Sequence, residues 1–303
     1  MRRRALLTLV LPAIMMALAA LTLMPLGASA ASTPAAAKSS KVHFLWRSNT
    51  SNSAKVTPFA GSNLNYYGGA VQNGTATAYA IYWEPNHSVS SGYHSLINRY
   101  FGDVGSSGLY KNNTQYTDSS GRYPSNATFG GSWTDTASYP RSPLLDSDIQ
   151  KEVSRAISAN GWTASTNHIF FVFTQANENL CFDSSHSQCA SNAFCAYHSY
   201  FGSHTIYAAM PYAASFSCNP GSSPNHDDAD QTINVTSHEQ MEAATDPLLN
   251  AWYDSSGSEI GDKCAWKFGS LNSSGGDVTW NGHSYIVQKE WDNHVTGCVL
   301  TGP

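Results

Sequence analysis

Ser237-His238-Glu239-Gln240-Met241-Glu242, continued by Ala243-Ala244-Thr245-Asp246-Pro247, is the stretch whose reading decides the fold of this chain. On a helix, residues four apart share a face, so His238 and Glu242 project together with Glu239 beside them. A metal-binding imidazole, a metal-binding carboxylate and a carboxylate base can then converge on one ion. The pattern is the zinc-peptidase His-Glu-x-x-His with its second His replaced by Glu, a change that keeps the geometry and adds a negative charge. The helix is expected over about 231–246, ended by Pro247, because the residue before a proline is pushed out of the α region.

A catalytic divalent ion takes about three protein ligands and leaves one position open. After His238 and Glu242 the third is expected from Asp262, with Glu259 second; His198 and His226 stand behind them. Glu239 is the expected general base. One imidazole with two carboxylates neutralises a divalent ion, so water is acidified less than in an all-histidine site; Zn²⁺ is the first choice, with Ca²⁺ and Mn²⁺ as harder alternatives. A competing reading makes Thr236-Ser237-His238-Glu239 a capping box, Glu242 an ion-pair partner and Asp246 a helix stop. Asn225-His226-Asp227-Asp228-Ala229-Asp230 lacks the glycine and terminal glutamate of a calcium loop and reads as a solvated acidic loop.

Working outward, the order of elements is that of a mixed α+β domain. Strands are expected at 77–83, 168–174 and 204–210, helices at 92–102 and from Asp146 or Ser147 to about Ala159, and one or two short or bulged strands in 123–136 around Gly130-Gly131. Asn281-Gly282 between two β-favouring runs marks a hairpin. A backing helix, a central strand, a later strand and then the His-Glu helix is the order of a zinc-peptidase catalytic half. The expected fold is therefore a mixed sheet with a zincin-like core, stapled by disulfides.

The ends and the charge fix the compartment. Arg2-Arg3-Arg4, an apolar run from Ala5 to about Leu26 and Ala28-Ser29-Ala30 read as an export signal cut after Ala30; left uncut, the run is long enough to anchor the chain in a bilayer. Residues 31–65, rich in Ala, Ser and Thr, read as a linker or flexible arm, and 66–303 as one domain. The 303-residue chain has 16 basic against 21 acidic residues, and loss of the signal removes three of the arginines. That balance argues against nucleic acid or an anionic membrane as partner. Six cysteines in the exported part point to disulfides, with Cys264 paired to Cys298 and Cys181, Cys189, Cys195 and Cys218 stapling the insert they delimit. No Gly-x-Ser-x-Gly, phosphate-cradling Gly-Lys-Thr or dinucleotide fingerprint is present.

Tyr67-Gly68-Gly69, Cys195-Ala196-Tyr197-His198, His238-Glu239 with Glu242, Asp246-Pro247-Leu248-Leu249-Asn250-Ala251-Trp252-Tyr253, Glu259-Ile260-Gly261-Asp262-Lys263-Cys264 and Val287-Gln288-Lys289-Glu290-Trp291 together resemble the EXORDIUM, or phosphate-induced protein, family and its bacterial relatives. The resemblance spans about Tyr66 to Cys298 and rests mostly on the block from His238 to Cys264. It implies an extracellular, cell-wall-associated protein. Two functions follow as expectations: a secreted metal-dependent hydrolase, a peptidase acting on peptide or cell-wall polymer, or a non-catalytic wall-associated protein that binds carbohydrate through some of its many Tyr and Trp rings.

Overall fold

Ile169-Phe170-Phe171-Val172-Phe173 is an unbroken apolar run, and all five side chains are buried, as a strand covered on both faces requires. In the computed structural model, which describes residues 42–48 and 62–303, this run lies inside a six-stranded sheet. The strands are β1 (Phe44–Trp46), β2 (Gly74–Trp83), β3 (Pro124–Asp135), β4 (His168–Thr174), β5 (Phe194–Phe201) and β6 (Thr205–Met210). Their spatial order is β1-β5-β6-β4-β2-β3. The pairs β2/β3, β2/β4 and β4/β6 are parallel, whereas β5 runs antiparallel to both β6 and β1.

Parallel neighbours need crossovers, and helices supply them. α1 (Tyr93–Asp103) connects β2 to β3, and α2 (Asp146–Asn160) connects β3 to β4. Phe101 of α1 packs on Phe171, ring centroids 4.9 Å apart, while Phe170 on the other face meets Tyr79 at 5.1 Å and Trp162 just past α2 at 6.1 Å. α3 (Ala229–Thr245) lies beside α1 and over β5 and β6. α2 stops at Gly161, which takes the left-handed conformation at φ 65° that glycine adopts without a Cβ penalty.

Two expectations need correction. The arm expected over 31–65 is not loose throughout: Phe44–Trp46 is an edge strand, and Asn65–Tyr66 pairs with Trp252–Tyr253. Phe44 explains the first, because its ring is buried among Phe182, Phe194 and Tyr197. The insert between Cys181 and Cys218 likewise carries strand β5, which the sequence reading passed over. The segment expected as one or two short or bulged strands is one bulged strand, as expected at Gly130-Gly131, although at 12 residues it is long; its register against β2 shifts between Phe129 and Gly131. A Cβ on Gly130 would stand 2.4 Å from the Tyr79 ring, so that position accepts only glycine without movement. The export signal of 1–30 lies outside the described residues.

Disulfides join Cys264 to Cys298, as expected, and Cys181 to Cys189 and Cys195 to Cys218, two pairings within the insert that the cysteine count left open. The Asn281-Gly282 hairpin is present, both residues at positive φ as a type I′ turn demands. Among the described residues no helix is long and apolar enough to cross a membrane.

Phe171 is fully buried at the sheet centre. Phe171→Ala should therefore lower the unfolding free energy by about 3–5 kcal/mol, read from the midpoint of a urea titration with unchanged slope.

Candidate metal centre

α3 is buried along almost its whole length, including Thr232, Asn234, Thr236, Ser237, His238, Glu239, Gln240 and Glu242. So polar a helix buried on all sides has to be held by partners. Tyr100 donates to Gln240 Oε1 at 2.9 Å, Asn113 Nδ2 donates to Met241 Sδ at 3.1 Å, and the Tyr93 and Thr232 hydroxyls meet at 3.0 Å. Thr236 and Glu239 lie in mid-helix, with Thr236 Oγ1 donating back to the Thr232 carbonyl at 2.7 Å. The capping-box reading fails on that placement, because a capping residue must stand at the helix start.

The carboxylate of Glu242 lies between two imidazoles. On one side His238 Nε2 is 3.0 Å from Glu242 Oε1 and 3.9 Å from Asp262 Oδ1. On the other, His198 Nδ1 from β5 is 3.5 Å from Glu242 Oε2 and 3.4 Å from Glu239 Oε2. Tetrahedral ligands at zinc bond lengths stand about 3.3 Å from one another, and these spacings scatter around that value. His238-Glu242-Asp262 and His198-Glu239-Glu242 are each groups able to hold a metal ion. The Asp262 backbone N–H donates to Glu242 Oε1 at 3.0 Å and so orients that carboxylate. His198 Nε2 lies 3.3 Å from the Asp246 carbonyl and 3.6 Å from Glu259 Oε2.

The pocket gathers more acids than bases, a load that protonation of some carboxyls or a bound cation balances. Glu239, Glu242, Asp246, Glu259 and Glu290 have no exposed surface, and Asp262 has little. Against them stand His43, His198 and His238, so carboxylates outnumber imidazoles even when every ring is protonated. Lys263 does not redress this, because its Nζ is 3.1 Å from Asp254 and sits over the Trp291 ring. Burial pushes Glu239 up to about 7, with Glu242's charge adding to the effect, and lifts Glu259 and Glu290 well above the carboxylate range. Burial also raises Asp246 to about 6, against the Ala251 and Asn250 N–H groups that hydrogen-bond it. For Glu242 burial acts upward too, but His238 and His198 outweigh it and hold the group below its ordinary range. Burial would lower both histidines; carboxylates reverse that, lifting His238 to about 10 chiefly through Glu242 and His198 chiefly through Glu259.

Hydrogen bonding agrees with the charge. His198 Nδ1, both nitrogens of His238, both oxygens of Glu239, Glu259 and Glu290, and Glu242 Oε2 are buried without a hydrogen-bond partner. His238 Nε2, His198 Nδ1, Glu239 Oε2, Glu242 Oε2 and Glu259 Oε2 have ion-pair contacts alone, at 3.0–3.6 Å, and a buried polar atom left without a hydrogen bond costs about 1–3 kcal/mol. A divalent ion satisfies several at once.

The sequence-derived residues His238, Glu242, Asp262 and Glu239 are thus brought together, and Glu259 reaches the cluster through His198. His198, held in reserve at the sequence level, is central. The cluster also contains residues that motif spacing does not reveal: His43, whose Nδ1 is 3.6 Å from Asp262 Oδ2, Asp246 and Glu290. The one signal for Glu290 is its place in Val287-Gln288-Lys289-Glu290-Trp291, a block that carries the EXORDIUM resemblance. His226 belongs to neither metal-holding group among the described residues. The acidic loop before α3 serves structure: Asp227 accepts from the Gly92 N–H at 3.0 Å, and Asp230 from the Asn225 N–H at 2.9 Å. Of the aromatic residues considered for sugar stacking, Tyr67 is exposed, and its ring stacks on Tyr253 at 4.0 Å.

The Glu259–Cys264 segment is clamped from outside. The Trp291 N–H donates to the Ile260 carbonyl at 2.9 Å, and the Cys264–Cys298 disulfide ties the segment to the C-terminal ribbon that carries Glu290. Comparison of the chain with protein-family models, curated proteins and solved structures finds no match.

Gly261 packs so tightly on the motif that a Cβ there would stand 2.6 Å from His238 Nδ1. Gly261→Ala should displace the imidazole, lower stability by about 1–3 kcal/mol and weaken divalent-ion binding. Calorimetric titration of Zn²⁺ into wild type and variant, beside a thermal melt, measures both effects.

Proposed function

We propose that this chain is a secreted metal-dependent hydrolase that cleaves peptide bonds, with His238, Glu242 and Asp262 holding a divalent ion and Glu239 acting as general base. The carrying observation is the set of buried nitrogen and oxygen atoms that converge around Glu242 in ion-pair contact and without hydrogen bonds. The donor set suits Zn²⁺, and its carboxylates also suit Mn²⁺ or Ca²⁺. When bound, such an ion supplies Lewis acidity toward a carbonyl oxygen and toward water.

The chain's own residues do the rest. Glu239, beside His238 on α3 and 3.4 Å from His198 Nδ1, is the carboxyl placed to take and return a proton. Asp262 orients Glu242 through its backbone N–H, and the Asp246 carbonyl and Glu259 together direct His198 toward Glu239 and Glu242. A sheet with a single antiparallel strand beside the motif helix, and helices on both faces, supports a zincin-like reading of the core. Three disulfides fit an oxidising, extracellular compartment, which the EXORDIUM resemblance also implies.

One observation favours a second reading, in which the ion is structural and the protein is a non-catalytic wall-associated one. His198, His238, Glu239, Glu242, Glu259 and Glu290 have no exposed surface. A substrate cannot reach groups so enclosed unless something moves.

Elemental analysis of protein purified without added metal should find about one divalent ion per chain, the number one ligand set holds. His238→Ala should lose it and melt at lower temperature, because an ion bound only to the native state adds to folding free energy. Glu239→Gln should keep the ion and cut hydrolysis of a fluorogenic peptide library by about 10²–10⁴. Absence of metal from wild type overturns the metal assignment. Metal without hydrolysis in wild type, both as the intact chain and after cleavage between residues 48 and 62, hands the site to the structural reading.

A further inference from the structure

β1 is a three-residue strand on the outer edge of β5, and the stretches that join it to the rest of the chain, 1–41 and 49–61, lie outside the described residues. It pairs antiparallel, Phe44 with Tyr197 and Leu45 with Ala196. Carrying that register one residue further sets His43 opposite His198, on the face that looks toward α3. There His43 Nδ1 lies 3.6 Å from Asp262 Oδ2, and Gly257 comes so close that a Cβ on it would stand 3.0 Å from His43 Cε1. With a side chain 23% exposed against 9% for Asp262, His43 stands where the acidic pocket meets solvent.

The rest of the segment is seated as a bound peptide would be. Phe44, on the opposite face of the strand, enters a pocket formed by Phe182, Phe194 and Tyr197 at centroid distances of 5.1–5.3 Å. The Trp46 carbonyl accepts from Trp266 Nε1 at 2.8 Å, and the Arg47 N–H donates to the Ala193 carbonyl at 3.0 Å. Main-chain pairing to a sheet edge, with alternate side chains in alternate pockets, is how proteins take up extended peptides by strand addition.

We propose that the β5 edge is a docking surface for an extended peptide and that residues 42–48 are its built-in occupant. The incoming peptide places an aromatic side chain where Phe44 sits and directs the preceding residue at the pocket that His43 covers. While the chain's own segment is seated, the pocket is closed; when it leaves, the edge and the pocket open together. The chemistry at the pocket rests on the hydrolase reading, but the docking does not, and the two are separable by experiment.

A full-length variant with a site-specific protease sequence replacing residues 52–58 allows the connection to be cut after folding. Cutting followed by gel filtration should release the N-terminal segment and leave a domain with unchanged circular dichroism. A labelled synthetic peptide, Val42 to Ser48, should then bind the cut protein at one per chain and the uncut protein not at all. The same peptide carrying Leu45→Asp should bind at least about tenfold more weakly, a difference of about 1.4 kcal/mol. Hydrolysis of a fluorogenic peptide should rise at least about tenfold on cutting and fall again when the synthetic peptide is added. Uncut Leu45→Asp protein should behave like the cut form without any protease.

Binding in trans without hydrolysis in any form upholds the docking surface and removes the hydrolase reading. Hydrolysis that is equal before and after cutting, with no binding in trans, overturns the docking proposal and leaves the hydrolase reading standing. Unfolding of the domain when the segment is released, or in uncut Leu45→Asp, also overturns it, since β1 is then an integral strand.

Discussion

Everything around α3 depends on a carboxylate held between two imidazoles. Glu242 faces His238 with one oxygen and His198 with the other, at 3.0 and 3.5 Å, in a place without solvent. Buried charges are tolerated only when paired or when they bind metal. Here the pairing is incomplete, since Glu239, Glu259 and Glu290 bring further acids to the same spot and several of their oxygens meet no donor. The sheet, the disulfide at Cys264 and the C-terminal ribbon hold these groups together against their mutual repulsion.

The scaffold is suited to that task. α3 is seated between α1 and strands β5 and β6, so a residue on its inner face looks directly at a residue on β5. That geometry brings His198 to Glu239 and Glu242, groups distant in the chain. On the far side, Asp262 and Glu259 arrive on a short segment fixed by main-chain hydrogen bonding to Trp291 and by a disulfide. Rigid support on both sides is what a site holding an ion at fixed distance requires.

Enclosure and chemistry pull in opposite directions. Excluding water strengthens every electrostatic interaction in the pocket, including those that tune Glu239, but it also excludes substrate. Of the edge strand and the residue before it, His43 stands at the boundary between pocket and solvent, while Phe44 and Leu45 are buried in the core. β1 has few backbone pairs and is held chiefly by the burial of Phe44 and Leu45, so the free-energy cost of opening it lies in those two side chains.

How much was legible in the sequence follows from what each feature depends on. The apolar run 169–173, the α2 periodicity ending in Asn160-Gly161, the Asn281-Gly282 turn and the presence of disulfides were readable because each rests on local preference or on simple counting, whereas six cysteines allow fifteen pairings and counting does not choose Cys264 with Cys298. The His238/Glu242 face was readable for the same reason, since helical spacing alone puts the two side chains together. The α3 boundaries came within about two residues, although its apolar periodicity is weak, because a helix buried on all sides has no polar face to alternate with. Strand β5, the seating of Phe44 and the entry of His43 into the pocket were decided by tertiary structure alone, and it was tertiary structure that made His198, a reserve candidate in the sequence, central and brought Glu290 into the same pocket. They arise from strand order and register, which bring residues far apart in the chain to one point, and such contacts leave no mark on local spacing.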